Sequence, residues 1–191
     1  MKKTTLYLFL ATCLLQWFVP LQMIFQQENT LQEGTAFKFK TRPVDPNDPF
    51  RGKYIVLNYE EDSFESRQED NWVPGSTVYV VIENNQEGYA KIAGLEKEEP
   101  TEEPHYIRAE IKHIWGQDPV KVIIKYPFER YYMQEHMAPL AEELFRSLNR
   151  SNSDKDTIYS LVWVNKGKTA LEKVLVNGVP IQDAILQNRQ E

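Results

Sequence analysis

The N-terminal apolar segment constrains this chain more than any other feature. It runs from Leu6 to Phe25, and at ~1.5 Å of rise per residue a helix of that length spans roughly 30 Å, the thickness of the hydrocarbon core of a bilayer. Lys2 and Lys3 precede it, and cationic flanks stay on the cytoplasmic side. In a bacterium, this pattern predicts a single-pass protein of the inner membrane, with its N-terminus cytoplasmic and its C-terminal domain periplasmic.

Two other interpretations of the segment are less well supported by the residues. A cleaved signal peptide has a shorter apolar core, of about 7–15 residues, followed by a small-x-small site, and no Ala-x-Ala follows Phe25. The stretch from Leu10 to Cys13 weakly resembles a lipoprotein cleavage box, but the chain stays apolar for a further twelve positions. A free cysteine in an apolar helix behaves as a small hydrophobe. We therefore expect a retained anchor.

Gln16 and Gln22 are unusual inside such an anchor. A side-chain amide in lipid is costly unless it finds a hydrogen-bond partner. Either these residues lie near the outer interface and contact headgroups or water, or they bond to the helices of another membrane protein. The sequence leaves both options open.

Charge and cysteine content limit what the rest of the chain can be. The net charge is −6, and setting aside Lys2 and Lys3 leaves −8 on the remainder, which argues against a nucleic-acid partner or a polybasic membrane patch. Cys13 is the one cysteine, so the exported part has no disulfide and relies on packing. We expect a membrane anchor over residues 1–27, a linker over 28–34 and one exported domain over 35–191.

Alternating apolar and polar residues predict that this domain is mainly β (α+β). The predicted strands cover residues 36–40, 53–60, 76–83, 89–95, 106–115, 120–126, 157–165 and 169–177, several of them joined as hairpins. One amphipathic helix is predicted where Leu140, Ala141, Leu144, Phe145 and Leu148 recur at helical spacing. Many short strands favour an antiparallel β sandwich or a partly open barrel with one helix.

The segment over residues 43–59, PVDPNDPFRGKYIVLNY, carries a family resemblance. It resembles the GDYXXLXY protein family, and so do the single anchor, the Glu129–Tyr132 segment and the closing Val176–Gly178 turn. The resemblance implies an exported, membrane-anchored domain of unknown biochemical role, with no catalytic residues to carry over. Lys53 stands where the family motif has Asp; we interpret that Asp as a turn residue, which Lys can replace, and not as a metal ligand or catalytic group.

Side-chain alternation divides the motif strand into two faces. Ile55, Leu57 and Tyr59 share one face and are predicted to lie in the core, whereas Tyr54 and Asn58 lie on the opposite, more polar face. A groove or a partner surface can form on that second face.

Arg51, just upstream, has two possible roles. It can bond back to Asp45 or Asp48 and lock the Pro-rich loop by a charge-assisted hydrogen bond. Alternatively, it can act with Tyr54 to capture an anionic ligand. We favour the structural lock.

Glu129, Arg130 and Tyr132 form a second polar cluster. They can line a cleft, or Tyr131 and Tyr132 can simply alternate between a buried site and the rim, which is the interpretation that we favour. The candidate ligand or partner contacts are therefore Asp45, Asp48, Arg51, Tyr54, Asn58, Glu129, Arg130 and Tyr132.

Sequence signatures of catalysis do not accompany these residues. His105, His113 and His136 lack metal-ligand spacing, and neither a phosphate loop nor a nucleophile elbow is present. We therefore expect no metal and no cofactor, and a non-enzymatic domain that docks on an integral-membrane partner. The alternative is a cell-envelope hydrolase or small-ligand-binding protein with a cleft near Arg51, Tyr54, Glu129 and Arg130.

Overall fold

The computed structural model describes residues 3–42, 54–134, 136–151 and 157–188. Its first element, α1 (Lys3–Glu33), is one continuous helix. The most apolar part of α1 has a mean hydropathy of 1.8 and is not buried against the described remainder of the chain. This helix is long and apolar enough to cross a membrane. Its last turns cover most of the predicted 28–34 linker, which is therefore helical up to Glu33.

Short strands make up most of the remaining described residues. They are β1 (Thr35–Arg42), β2 (Tyr54–Val56), β3 (Asn58–Tyr59), β4 (Ser63–Ser66), β5 (Thr77–Asn84), β6 (Ala90–Glu96), β7 (Tyr106–Trp115), β8 (Val120–Lys125), β9 (Arg130–Tyr132), β10 (Ile158–Asn165), β11 (Lys168–Val176) and β12 (Val179–Pro180). Helix α2 (Ala138–Ser151) lies between β9 and β10, and helix α3 (Ile181–Asn188) follows β12.

The strands pair antiparallel into two larger sheets and one ribbon. The first sheet has the order β12-β11-β10-β1-β3, and the second has the order β4-β8-β7-β5-β6. One of the sheets is nearly closed, like a barrel. Strands β2 and β9 form the ribbon. The turn between β10 and β11 joins the two sheets through a parallel bridge between Gly167 and Ile107. The predicted mainly-β fold with an apolar N-terminal helix is confirmed.

Burial follows the period of two that the sequence shows. Along β10, buried and partly exposed residues alternate at every position, as expected for a strand with one face in the core. Between the sheets, Phe39, Tyr59, Tyr126 and Phe128 form an aromatic cluster with ring centroids 5.1–5.8 Å apart. Such edge-to-face pairs add stability beyond their buried area.

The motif strand differs from its prediction in one respect. Ile55, Leu57 and Tyr59 are buried as expected, but the predicted single strand over 53–60 is divided between two neighbours, since β2 pairs with β9 and β3 pairs with β1. At the break, the Leu57 N–H donates to the carbonyl oxygen of Glu129 over 2.8 Å. The motif therefore ties the ribbon to the first sheet.

The predicted helix is confirmed as α2, and its Ala141, Leu144 and Phe145 are buried. Helix α3 and the short strands β4, β9 and β12 were not predicted. In α3, Ile181 and Ile185 are buried, at the i, i+4 spacing of one helix face, but the segment is short enough for the preceding turn signal to dominate the sequence pattern.

Candidate functional site

The ribbon of β2 and β9 brings together three of the candidate residues. Its register places Tyr54 opposite Tyr132 and Val56 opposite Arg130. Residues that face each other across antiparallel strands, and their neighbours two positions along, are close enough to interact. Two segments that are distant in the chain thereby present their side chains on one surface.

We call this surface the ribbon face and define it by Tyr54, Val56, Arg130 and Tyr132. The Arg130 guanidinium lies 5.0 Å from the ring centroid of Tyr54, and the Tyr54 and Tyr132 rings are 5.5 Å apart. Tyr132 is 64% exposed and Val56 is 41% exposed. A planar cation on an aromatic ring is held in a defined orientation, so the face is both ordered and open to solvent.

A groove of about 500 Å³ runs beside the ribbon face and reaches the end of α1. Its lining consists of Gln27, Pro127, Phe128, Arg130, Tyr131, Tyr132, Thr169, Leu171 and Glu172. We call it the ribbon groove. It brings Gln27 of α1 next to β9 and β11. No local sequence signal predicts this proximity, because the three segments are far apart in the chain.

The acidic wall of the ribbon groove is Glu172. Its carboxylate accepts a hydrogen bond from Trp163 Nε1 over 2.6 Å and lies 2.9 Å from Lys173 Nζ. The Trp163 hydrogen bond and the Lys173 amine lower the pKa of Glu172 below its ordinary value. Because Glu172 and Arg130 both line the groove, its lining carries both signs of charge.

Glu129 does not join Arg130 in this arrangement. Among the described residues, the lining of the ribbon groove does not include Glu129. Burial raises the pKa of its carboxyl, while the charges of Lys112, Lys125 and Arg130 and the Tyr126 N–H act in the opposite direction. The Glu129 carboxylate therefore lies outside the ribbon groove, within reach of the charges of Lys112, Lys125 and Arg130.

The remaining candidate residues lie elsewhere. Asp45, Asp48 and Arg51 lie outside the described residues, as does Lys53. Asn58 is exposed on β3, where it pairs with Arg42 of β1. Arg42 in turn donates to the Glu60 carbonyl oxygen and to the Asp62 carboxylate, so the surroundings of Asn58 belong to the edge of the first sheet.

Tyr131 and Tyr132 alternate as predicted. Tyr131 packs partly buried against the core, whereas Tyr132 is exposed. Among the histidines, His105 makes an edge contact with the Phe37 ring at 5.4 Å. In the described ranges, no group of three or more His, Cys, Asp or Glu side chains is arranged to hold a metal ion.

A comparison with protein-family models matches residues 16–174 to the family described as GDYXXLXY protein. The match begins inside α1 and ends in β11, and so covers the ribbon, the ribbon groove, the second sheet and the first sheet except for β12 and the end of β11. Neither the curated proteins nor the solved structures contain a match.

Proposed function

The chain belongs to the GDYXXLXY family, and from that premise we propose that it is a single-pass membrane protein whose β-rich body docks on an integral-membrane partner through the ribbon face. The observation that carries the proposal is the ribbon groove, because Gln27 of α1 lines it together with Arg130 and Tyr132 of β9. A docking surface at this position faces the region that the extramembrane parts of a neighbouring membrane protein occupy.

The anchor supplies the first step of the argument. Its apolar run ends at Phe25, two residues before Gln27, so Gln27 lies about 3 Å beyond the hydrocarbon boundary at ~1.5 Å per residue. Lys2 and Lys3 on the other side favour a cytoplasmic N-terminus and an exported body. In a bacterium the body is then periplasmic and stays close to the inner membrane.

The composition of the ribbon face supplies the second step. Tyrosine and arginine are enriched at the energetically dominant positions of protein interfaces, and charged residues other than Arg are depleted at their centres. The face combines Tyr54, Arg130 and Tyr132 with the exposed Val56. Because Arg130 is already stacked on Tyr54, little side-chain freedom is lost when a partner binds.

The alternative, a cell-envelope hydrolase or a small-ligand site built from Arg51, Tyr54, Glu129 and Arg130, has less support. Such a site requires the Glu129 carboxylate and the Arg130 guanidinium in one cleft. The Glu129 carboxylate is outside the lining of the ribbon groove and interacts with Lys112 and Lys125 as well as with Arg130, whereas the Arg130 guanidinium lies over the Tyr54 ring. We therefore prefer docking to catalysis.

Site-specific photocrosslinking in native membranes tests the docking surface. We would replace Tyr132 with p-benzoylphenylalanine in the full-length chain and identify each adduct by peptide sequencing. Trp115 provides the matched control, since it is 66% exposed. It is the last residue of β7, a 10-residue strand that is roughly 30 Å long at about 3.3 Å per residue. The first residues of β7 contact the β10–β11 turn, so Trp115 lies at the end of the strand that is distant from this turn.

We expect the probe at position 132 to capture one integral-membrane protein, and the probe at 115 to capture it at least about tenfold less. Adding Arg130→Ala should reduce the yield at 132, because it removes an arginine of the kind that dominates interfaces. Adducts with lipid or with a second copy alone, or equal yields at 132 and 115, would contradict docking through the ribbon face. Recovery of the chain in the cytosol after fractionation would contradict the anchor itself.

A further inference from the structure

A second groove lies where α1 meets the turn between β10 and β11. Its volume is about 630 Å³, and we call it the anchor groove. One wall is α1, and the other is the turn that carries Lys166 and Lys168. The lining comprises Phe18, Leu21, Gln22, Phe25, Gln26, Asn29, Thr30, Glu33, Asn165, Lys166 and Lys168.

The α1 wall changes character along its length. Phe18, Leu21 and Phe25 belong to the apolar run, and Asn29 and Thr30 follow it. Thr30 lies about 7 Å beyond Phe25 along the helix, which matches the roughly 5–7 Å thickness of one headgroup layer. The groove is therefore apolar at the depth of acyl chains and polar at the depth of lipid phosphates.

The junction between helix and body holds this geometry in place. Thr30 is 2% exposed, and the Gly34 N–H donates to its carbonyl oxygen over 3.1 Å. A Cβ on Gly34 would clash with the Thr30 carbonyl oxygen and would lie 3.1 Å from that of Val164. Glycine thus lets the end of α1 lie directly on β10, the strand that leads into the turn with Lys166 and Lys168. We call this turn the lysine turn.

The backbone of the lysine turn has an unfavourable conformation at Lys166. Asn165 pairs with Lys168, and the two central residues, Lys166 and Gly167, have φ of 44° and 77°. Two positive φ values are typical of a type I′ hairpin turn, whose first central position favours Asn, Asp or Gly. A lysine at that position sacrifices local stability, and it adds a cation to an otherwise acidic protein of net charge −6.

We propose that the anchor groove binds an anionic membrane phospholipid, with the phosphate at Lys166 and Lys168 and an acyl chain along Phe18, Leu21 and Phe25. The two lysines outweigh the single carboxylate of Glu33 in the lining, so the polar end of the groove complements a negative headgroup. Gln26, the first residue after the apolar run, lies at the level of the glycerol esters. The proposal rests on α1 crossing the membrane.

This lipid orients the exported body. With a phosphate held between α1 and the β10–β11 turn, the body is fixed against the bilayer surface in addition to its single covalent connection at Gly34. The ribbon groove also contacts α1, at Gln27, so a fixed body presents the ribbon face at a constant height above the membrane. Bound lipid and docking surface would then act together.

Lipid titration of the delipidated full-length chain in detergent tests the proposal. Bound phosphatidylglycerol and phosphatidylcholine would be counted separately by native mass spectrometry. The test variant is Lys166→Asn with Lys168→Gln, since Asn suits the type I′ position and preserves the turn. The control is Lys91→Gln with Lys121→Gln, which removes the same charge from exposed positions on β6 and β8.

We expect the wild type to bind phosphatidylglycerol more tightly than phosphatidylcholine. The test variant should lose at least about tenfold in phosphatidylglycerol affinity, since each lysine near an anionic surface contributes about fivefold. The control variant should retain the wild-type affinity. An excess of inorganic phosphate should not displace the lipid. Equal binding of both lipids by the wild type, an unaffected test variant, or displacement by inorganic phosphate would overturn the proposal. Membrane flotation of the same samples reports on the anchor independently, so failure of the anchor and failure of lipid recognition are distinguishable.

Discussion

Gly167 lies so close to Tyr106 that a Cβ on the glycine would come 2.9 Å from Tyr106 Cε2. The Gly167 N–H donates to the Tyr106 carbonyl oxygen over 3.0 Å, and the Arg108 N–H donates to the Gly167 carbonyl oxygen over 3.1 Å. This short bridge connects the β10–β11 turn of the first sheet to β7 of the second. The absence of a side chain at position 167 is therefore what lets the two sheets meet.

Replacing Gly167 with Ala should destabilise the chain by about 2–3 kcal/mol. About 1 kcal/mol follows from placing a Cβ at a φ of 77°, and the remainder from the clash with the Tyr106 ring, since overpacking costs about 1–3 kcal/mol. Gly88→Ala is the matched control, because Gly88 has a φ of 79° but no atom within 4 Å of its added Cβ.

Denaturant unfolding of the full-length chain in detergent would measure both variants. We expect Gly88→Ala to lose only the backbone cost, about 1 kcal/mol. Equal losses at the two positions would show that the contact with Tyr106 contributes nothing to the junction between the sheets.

The sequence predicts the features of this fold that depend on neighbouring residues in the chain, but not those that depend on contacts between distant segments. The apolar helix, the hairpins and the alternation of Ile55, Leu57 and Tyr59 are local patterns, and the structure confirms them. The division of the motif strand between β9 and β1 is not local, because hydrophobic alternation continues unbroken across Leu57.

The candidate site likewise combines residues that the sequence singled out with contacts that it did not predict. The pairing of Tyr54 with Tyr132 joins two segments that were each singled out, but their adjacency follows from strand register and not from either segment alone. Gln27 and Glu172 complete the ribbon groove, and neither had a sequence signal, because one lies in α1 and the other in β11. Long-range packing therefore decides which of the candidate residues act together.

Tyr59→Phe should destabilise the chain by about 1–2 kcal/mol. The Tyr59 hydroxyl donates to the carbonyl oxygen of Phe128 over 2.9 Å, and the residue is 2% exposed. Its removal leaves a buried carbonyl without that donor, and an unsatisfied buried group costs about 1–3 kcal/mol. Tyr132→Phe, at an exposed position, should change the free energy of unfolding by less than about 0.5 kcal/mol.

Thermal or denaturant unfolding checks this pair of variants. Burial also raises the pKa of Tyr59, so its hydroxyl stays protonated and able to donate throughout the neutral range. A Tyr59→Phe variant as stable as Tyr132→Phe would mean that the hydrogen bond to Phe128 does not stabilise the aromatic cluster.

Asp70→Asn should lower the melting temperature at neutral pH. The Ser66 hydroxyl donates to the Asp70 carboxylate, as does the Arg67 N–H over 3.2 Å, and the Ser66 bond is the main cause that lowers the pKa of Asp70 below 3.8. A carboxyl with a lowered pKa contributes stability above its ordinary pKa, and this contribution is lost as the pH falls through the lowered value.

The difference between wild type and Asp70→Asn should therefore be largest near pH 7 and should shrink as the pH falls below 3.8. Differential scanning calorimetry across this range measures it, with Glu65→Gln on the exposed side of β4 as the control. A difference that stays constant with pH would show that Asn disturbs the turn for reasons unrelated to the carboxylate charge.

Glu129→Gln should have the opposite effect to Asp70→Asn and raise the melting temperature at neutral pH. Burial raises the pKa of Glu129 above 4.5, and this effect outweighs the opposing charges of Lys112, Lys125 and Arg130 and the hydrogen bond from the Tyr126 N–H. A carboxyl with a raised pKa binds its proton more tightly in the folded state, so ionisation destabilises the fold. The cost is absent below pH 4.5 and grows as the pH rises through the raised value.

Melting temperatures of wild type and Glu129→Gln should therefore converge below pH 4.5 and separate, with the variant higher, as the pH approaches 7. Glu83→Gln, at an exposed position on β5, serves as the control for loss of one negative charge and should not reproduce the pH dependence. A variant that melts below wild type at neutral pH would mean that Lys112 and Lys125 stabilise the ionised carboxylate by more than burial opposes it. Glu129 would then be a structural anion stabilised by its neighbouring cations.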